Sequence, residues 1–329
     1  MPRLGINGFG RIGRLACRAA IGQGLAVAAI NGTAPPATLA HLLQYDSTYG
    51  TWEKHVRPAE GAIDVDGQRI LVFKEKEPSL IPWSHARVDT VLECSGLFTE
   101  RDQLMGHLRD PVRKVLVAAP AKGEDLTVVL GVNGHLLRPD HKIISNASCT
   151  TNCLAPVAKV LHESFGIREG LMTTVHAYTG DQRLLDGTHK DLRRARAACL
   201  SMVPTSTGAA KAIGKVLPQL EGKLQGFAIR VPVPAVSLVD LTVVLERAAS
   251  AAEINQAFQA AAAGPLKGIL DTCSLPLVSA DFRGNPHSAI VDLPSTTAVG
   301  PLAKVLAWYD NEWAYALRLV ELARKTGDA

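Results

Sequence analysis

One short stretch constrains this chain more than any other. Gly8-Phe9-Gly10-Arg11-Ile12-Gly13 is a G-x-G-x-x-G set between an apolar strand, Leu4-Gly5-Ile6-Asn7, and a run of helical composition from Ile12 to Ala20. Leu25 to Ile30 follows as a continuous apolar segment, the pattern of a strand buried on both faces. Glycines at this spacing inside a strand–helix–strand unit permit a tight turn. They also let the backbone approach a pyrophosphate, held by the N–H groups at the helix start. A chain that opens this way is committed to a parallel α/β sheet that binds a dinucleotide. The same fingerprint predicts an acidic side chain roughly twenty residues later, for the ribose hydroxyls of NAD. Asn31-Gly32-Thr33 stands there instead.

Further strands are expected at Arg69 to Phe73, Thr90 to Cys94, Lys114 to Ala119 and Lys142 to Ser145, extending the parallel sheet. Ser95-Gly96 closes the second of these with a turn where a ligand lies over strand ends. Beyond Asn152 the texture changes. Longer alternating strands at Leu171 to His176, Gly226 to Val231 and Ser237 to Glu246 suit a mixed or antiparallel sheet. Between them Ala177 to Leu200 is polar and weakly periodic, and a connection that long is usually functional. Asn311 to Lys325 reads as a helix whose apolar face needs a partner.

With 329 residues the chain exceeds what one core usually serves. The expected class is α/β: a Rossmann dinucleotide-binding domain over 1–147, with the C-terminal helix 311–329 packing back on it. An α+β catalytic domain with a mixed or antiparallel sheet is expected over 148–310. The net charge of +4 is too small and dispersed for a nucleic-acid partner and suits small anionic substrates. No apolar stretch is long enough to span a membrane, and Met1 to Ile6 leaves no room for a signal peptide, so a cytoplasmic location is expected. The six cysteines form no C-x-x-C and no zinc spacing, so neither a metal nor a disulfide framework is expected.

Ser145 to Pro156, "SNASCTTNCLAP", carries the chemistry. A strand ends at Ser145 and an apolar helix begins near Cys149. A cysteine at a helix start feels the positive end of the macrodipole, which lowers its pKa. Ser148 and Thr150 add hydroxyls, and backbone N–H groups there suit an oxyanion. Cys153, one turn on, reads as a buried small apolar residue. Among ten histidines, His176 ends the strand Met172-Thr173-Thr174-Val175 and opens the polar loop, which makes it the best-placed base; most of the others read as solvated.

The segments "INGFGRIGR", "SNASCTTNC", "TTVHAYTGDQ", "DLRRARAA", "PTSTGAAKA" and "WYDNEW" together resemble the phosphorylating glyceraldehyde-3-phosphate dehydrogenases, from Arg3 to the last helix. The resemblance implies that Cys149 is the nucleophile and His176 the base. Glyceraldehyde 3-phosphate would be oxidised through a thioester and released by inorganic phosphate as 1,3-bisphosphoglycerate. It assigns the substrate phosphate to Thr179, Asp181 and Arg230, the attacking phosphate to Ser148, Thr150, Thr207 and Gly208, and Arg194 to a place between the two. It assigns the cofactor to Gly8, Phe9, Gly10, Arg11, Ile12, Gly13, Asn31, Gly32, Thr33, Ser95 and Gly96, with Asn311 orienting the nicotinamide carboxamide. The loop Ala177 to Leu200 is expected at a subunit interface of a homotetramer. Ala314 departs from the glycine usual between Trp313 and Tyr315. NAD-selective members resembling this chain carry an Asp where Gly32 stands, and Leu-Pro where Gly187-Thr188 stands. The small-hydroxyl pair is similar to that of the photosynthetic, NADP-using members. Preference for NADP is therefore expected, with NAD possible and Thr188 near the extra phosphate. A sister activity, erythrose-4-phosphate dehydrogenase, is disfavoured by the intact Thr205 to Lys211 phosphate segment, and a catalytically silent binding protein by the intact Cys149 and His176.

Overall fold

The turn at Gly8 requires glycine on two counts. Its φ is +87°, and a Cβ there would lie 2.4 Å from the backbone of Ser95. Gly13 is pressed as tightly, since a Cβ would meet the Gly8 carbonyl at 2.1 Å. Gly10 faces open space, which is what a close-approaching ligand needs. The flanking elements are the strand Arg3–Asn7, the helix Arg11–Gly22 and the strand Ala26–Asn31, whose two strands pair in parallel. The computed structural model describes residues 1–327.

The chain divides into two compact units. The first comprises Met1–Val128, His135–Ser148 and the described residues from Tyr315 onward. Its sheet has nine strands. From Leu126–Thr127 through Ile143–Ser145, Lys114–Val117, Thr90–Glu93, Arg3–Asn7 and Ala26–Asn31 to Gln68–Phe73 every pairing is parallel. The far edge departs from the expected all-parallel sheet: Ala62–Val65 and Val56–Ala59 are added antiparallel by short turns. The central strands are buried on both faces, with Leu4, Ile6, Ile30, Val91, Leu92, Val115 and Leu116 fully enclosed.

The second unit comprises Val129–Gly134 and Cys149–Ala314. Its sheet of eight strands is mixed, as the alternation of its strands requires. Ile167–Ala177 lies at its middle, parallel to Leu224–Val231 and antiparallel to Ser237–Leu245. Ser237–Leu245 reads buried and half-buried in strict alternation, and Leu302–Tyr309 pairs with it antiparallel. One face carries the helix Cys149–Phe165, which is buried along most of its length.

The last helix runs Trp313–Gly327, later than the Asn311 start expected from composition. The cause is local. The Asp310 carboxylate accepts the N–H groups of Glu312 and Trp313, caps the helix there and leaves Asn311 in the turn ahead of it. Within the first unit Tyr315 donates to the Ala147 carbonyl at 2.9 Å and Arg324 to the Gln23 carbonyl at 2.8 Å. Residues 328 and 329 of the helix expected over 311–329 lie outside the described residues. Ala314, buried in the first turn, suits a helix better than glycine.

Candidate active site

The helix Cys149–Phe165 is entered through a strained turn. Ala147 sits at φ +55°, a left-handed conformation unusual for a residue with a Cβ. It is held on both sides: its N–H donates to Ser145 Oγ at 3.0 Å, and its carbonyl accepts from Tyr315. Strain of this kind persists only where the surroundings over-determine it, and it clusters at functional sites. Two residues on, Cys149 is the first residue of the helix.

Within the second unit the fold brings Cys149 and His176 together, which sequence alone did not. Cys149 Sγ lies 3.4 Å from His176 Nε2. His176 Nδ1–H donates to the Ala177 carbonyl at 2.7 Å, which fixes the tautomer and turns an Nε2 lone pair toward the thiol. Arg230 Nη1, 3.2 Å from that same Nδ1, has acceptors in the Ala177 carbonyl and Thr179 Oγ1, each also at 3.2 Å. Tyr309, 1% exposed, packs its ring edge-on against His176 and shares hydrogen bonds of 2.8 Å with Thr150 and Thr174. The Thr150 hydroxyl is thus engaged with Tyr309 as well as with the thiol.

The electrostatics correct the expectation for Cys149. Burial pushes the thiol up, outweighing Arg230, the Thr150 hydroxyl and the N–H groups of the helix start, which pull it down. Burial, Arg230 and Arg194 push His176 down to about 3. Burial therefore opposes charge on either partner alone. A proton passing along the 3.4 Å contact creates both charges together, each offsetting the other. The sign for stability follows. Unfolded His176 binds a proton below about 6.5, whereas the folded imidazole resists it until about 3. Folding is thus opposed as pH falls through that window. The fall in Tm between pH 7 and pH 5 should be smaller for His176→Asn than for the wild type; an equal fall would contradict the assigned environment.

Arg230 is a half-buried guanidinium whose enclosed Nε has no partner and which makes no ion pair among the described residues. A partly desolvated cation with no ion pair favours an anion beside it. On the loop that follows, Asp181 pairs with Arg194 Nη1 at 2.5 Å, and His189 meets the same carboxylate at 3.3 Å. Arg194 Nε donates to Thr205 Oγ1 at 3.0 Å. Thr207 Oγ1 accepts the Ala209 N–H at 3.2 Å just ahead of the helix Ala209–Val216, and Gly208 at its N-cap supplies no capping side chain. Ser148, half-buried, adjoins the nucleophile. Asn311, buried, takes a hydrogen bond from Ser237.

In the first unit the residues fit a dinucleotide. Gly8 and Gly13 leave no room for side chains, Gly10 leaves the helix start open and uncapped, and Arg11 is held by Asp46. Phe9 is buried and Ile12 half-buried. Asn31 donates to Asn7 Oδ1 and to the Glu75 carbonyl, and accepts the Glu75 N–H. Gly32 needs no special backbone: its φ lies outside the left-handed region, and a Cβ would make ordinary contacts of 3.5–3.9 Å with Phe9 and Leu39. Thr33 is exposed. Gly96 has φ +71°. The Ser95 N–H and hydroxyl both donate to Glu93 Oε1.

Sequence reasoning missed what supports these residues. Glu93, 1% exposed, also accepts from Asn7 and from His107 Nε2, while Trp83 Nε1 donates to His107 Nδ1. His107 is fully buried and His141 nearly so, two exceptions to the expectation that most of the other histidines are solvated. The partners of His107, Glu93 and Trp83, are far away in sequence, whereas His141 Nδ1 accepts the nearby Arg138 N–H at 3.3 Å. Cys153 is buried as expected, and all six cysteines are free.

A glycine-loop dinucleotide fold in one unit and a half-buried thiol against a buried imidazole in the other define the class, a dinucleotide-dependent oxidoreductase. Residues 2–101 match the family model described as glyceraldehyde 3-phosphate dehydrogenase, NAD binding domain, and residues 148–311 match its C-terminal domain. Among similar proteins, glyceraldehyde-3-phosphate dehydrogenase of Borreliella burgdorferi is 54% identical over 98% of this chain and 99% of its own. Glyceraldehyde-3-phosphate dehydrogenase 2 of Streptomyces arenae is 52% identical over 99% of both chains. The chloroplastic glyceraldehyde-3-phosphate dehydrogenase A of Zea mays is 52% identical over 98% of this chain and 81% of its own. The chain belongs to the glyceraldehyde-3-phosphate dehydrogenase family.

Proposed function

We propose that this chain oxidises glyceraldehyde 3-phosphate with inorganic phosphate to 1,3-bisphosphoglycerate, and runs the reverse reaction, with NADP preferred and NAD accepted. The observation that carries the reading is the Cys149–His176 contact of 3.4 Å beside Arg230. His176 Nε2 takes the thiol proton, and the Cys149 thiolate adds to the aldehyde carbon. The N–H groups at the helix start stabilise the oxyanion of the thiohemiacetal. His176 returns its proton to that oxygen, giving the thiohemiacetal hydroxyl, and as a neutral imidazole takes it back as the C–H bond breaks, leaving a thioester on Cys149. The nicotinamide, when bound, accepts the hydride. Inorganic phosphate, held by Ser148, Thr150, Thr207 and Gly208, attacks the thioester carbon, forms the acyl phosphate and frees the thiolate. Thr179, Asp181 and Arg230 hold the substrate phosphate, with Arg194 between the two anions.

No helix among the described residues is long and apolar enough to cross a membrane. A cytoplasmic homotetramer remains our reading. Exposure of Leu184, Leu185, Leu192, Leu200 and Met202, each above 70%, on the loop after Ala177 supports a subunit interface there. The division of labour proposed is a dinucleotide-binding domain over 1–147 with the last helix, and a catalytic domain over 148–310.

The test is the absorbance of reduced cofactor on mixing the protein with glyceraldehyde 3-phosphate, with and without inorganic phosphate. Sustained turnover is expected only with phosphate; turnover without it would favour a hydrolytic sister enzyme. Arg230→Met should lower kcat/KM for glyceraldehyde 3-phosphate by roughly 100-fold, the loss of one charged hydrogen-bonding partner. An unchanged value would remove Arg230 from the substrate site.

A further inference from the structure

Ser237 begins the strand Ser237–Leu245 and is 1% exposed. Its hydroxyl oxygen accepts the Ala177 N–H at 3.1 Å, and its O–H donates to Asn311 Oδ1 at 3.0 Å. The carbonyl of that same Ala177 accepts the His176 Nδ1–H at 2.7 Å. One buried hydroxyl therefore joins the base to Asn311 through a single residue. Hydrogen bonds in such a chain polarise one another.

One observation points to a ligand on Asn311, and a second shows that the turn behind Ser237 is held in place. The side chain is 5% exposed with its oxygen engaged, yet among the described residues its Nδ2 donates to no group. That nitrogen is not sealed from solvent, so a ligand acceptor can reach it. Val236, immediately before Ser237, has φ +69°. A β-branched residue in the left-handed region is an outlier, and such strain is kept where a site requires it. Val236 packs with Phe282 and Ile290, which hold the turn that sets the Ser237 hydroxyl.

We propose that Ser237 is a positioning residue for hydride transfer: it holds the Asn311 oxygen so that Nδ2–H faces the carbonyl oxygen of the nicotinamide carboxamide. The ring is thereby presented to substrate by one face only, in register with His176. The proposal rests on the reading of Asn311 as the nicotinamide contact. Without the hydroxyl, the Asn311 amide is free to invert and offer oxygen to oxygen, a repulsive pairing. Ser237 touches neither substrate nor cofactor and acts only through Asn311 and Ala177.

The experiment compares Ser237→Ala, Ser237→Thr, Asn311→Ala and the double variant Ser237→Ala/Asn311→Ala. Two quantities are read: kcat, and the face of hydride transfer with cofactor stereospecifically deuterated at C4. Ser237→Ala should lower kcat on the order of tenfold, keep KM for glyceraldehyde 3-phosphate unchanged, and let a measurable fraction of hydride cross from the opposite face. Ser237→Thr, which keeps the hydroxyl, should restore single-face transfer. In the Asn311→Ala background Ser237→Ala should add little, because its effect runs through Asn311. Strict single-face transfer with near-normal kcat in folded Ser237→Ala overturns the proposal, as do fully multiplicative losses in the double variant. If Asn311→Ala itself changes neither quantity, the reading of Asn311 falls and the proposal with it. If Asn311→Ala is impaired while Ser237→Ala is not, only the role of Ser237 falls. Should Ser237→Ala not fold, Ser237→Cys replaces it with the same expectations, since a thiol is a weak donor and acceptor.

Discussion

Cys149→Ser is expected to lower turnover by roughly 10^5-fold or more, the scale of deleting a covalent nucleophile. Dinucleotide affinity should stay within about twofold, because the change is confined to one atom of the second unit and leaves the glycine loop of the first unchanged. The serine hydroxyl sits in the same place, but its proton is far harder to remove than a thiol's, so the attacking anion does not form. The measurement is single-turnover formation of reduced cofactor together with dinucleotide binding by fluorescence. Turnover near that of the wild type would end the covalent account. His176→Asn should slow acylation by roughly 10^2–10^4-fold, the range for losing a general base. It should also move the pH midpoint for alkylation of Cys149 upward. Without an imidazole 3.4 Å away, the thiolate must form alone against burial.

What the sequence made legible follows from how local its signals are. The glycine loop reads from six residues because each glycine answers a separate steric demand, visible at Gly8, Gly10 and Gly13. The change of sheet type after Asn152 reads from period, since a strand half-covered by helices must alternate. The outer strands Val56–Ala59 and Ala62–Val65 did not read: each is four residues long, too short for a period to emerge, and the second is buried at three of its four positions. Cys149 and His176 stood out separately, at a helix start and a strand end. Their contact depends on the Ile167–Ala177 strand lying against the helix that Cys149 opens, and no short window contains that. Ser237 and Tyr309 were missed for a related reason. On a strand a buried serine or tyrosine looks like any inward position, and its partners Ala177, Asn311, Thr150 and Thr174 are recognisable only once the ladder is built. The sign of the Cys149 shift was misread because a helix start is visible in sequence and desolvation is not.

Gly32→Asp is expected to turn the cofactor preference, lowering kcat/KM for NADP by roughly 100-fold while sparing or improving NAD. An Asp carboxylate there would face a 2′-phosphate of charge near −2. Like charges about 4 Å apart cost about 1 kcal/mol per unit pair in water and about 4 kcal/mol at an intermediate dielectric. Gly32 is half-exposed and Thr33 exposed, so the watery end of that range applies. Two phosphate charges then give about 2–3 kcal/mol, or roughly 100-fold. The structure makes the substitution a clean test. Nothing in the backbone requires glycine at position 32, because its φ is ordinary. The added Cβ would meet only Phe9 and Leu39, at 3.5 Å or more. The Gly32 N–H donates to the Phe73 carbonyl, an interaction any residue keeps. On the loop beyond Phe73, Lys74 and Lys76 flank the Glu75 that Asn31 binds through its backbone, so two cations adjoin the stretch where the Asp of NAD-selective members is missing. Thr188, in the other unit, is exposed, and among the described residues no group takes its hydroxyl. Its carbonyl accepts Arg183 Nε at 2.9 Å. Restoring leucine and proline at Gly187 and Thr188 should therefore weaken NADP use further, in the manner of a lost hydroxyl rather than of an added charge. Salt separates the two. The Gly32→Asp penalty should shrink as ionic strength rises from 0.01 M to 1 M, because screening at about 3 Å replaces screening at about 30 Å; the loop double variant should be nearly indifferent. Wild-type enzyme favouring NAD tenfold or more, or a Gly32→Asp enzyme with NADP use intact, would show that the missing carboxylate does not set the preference.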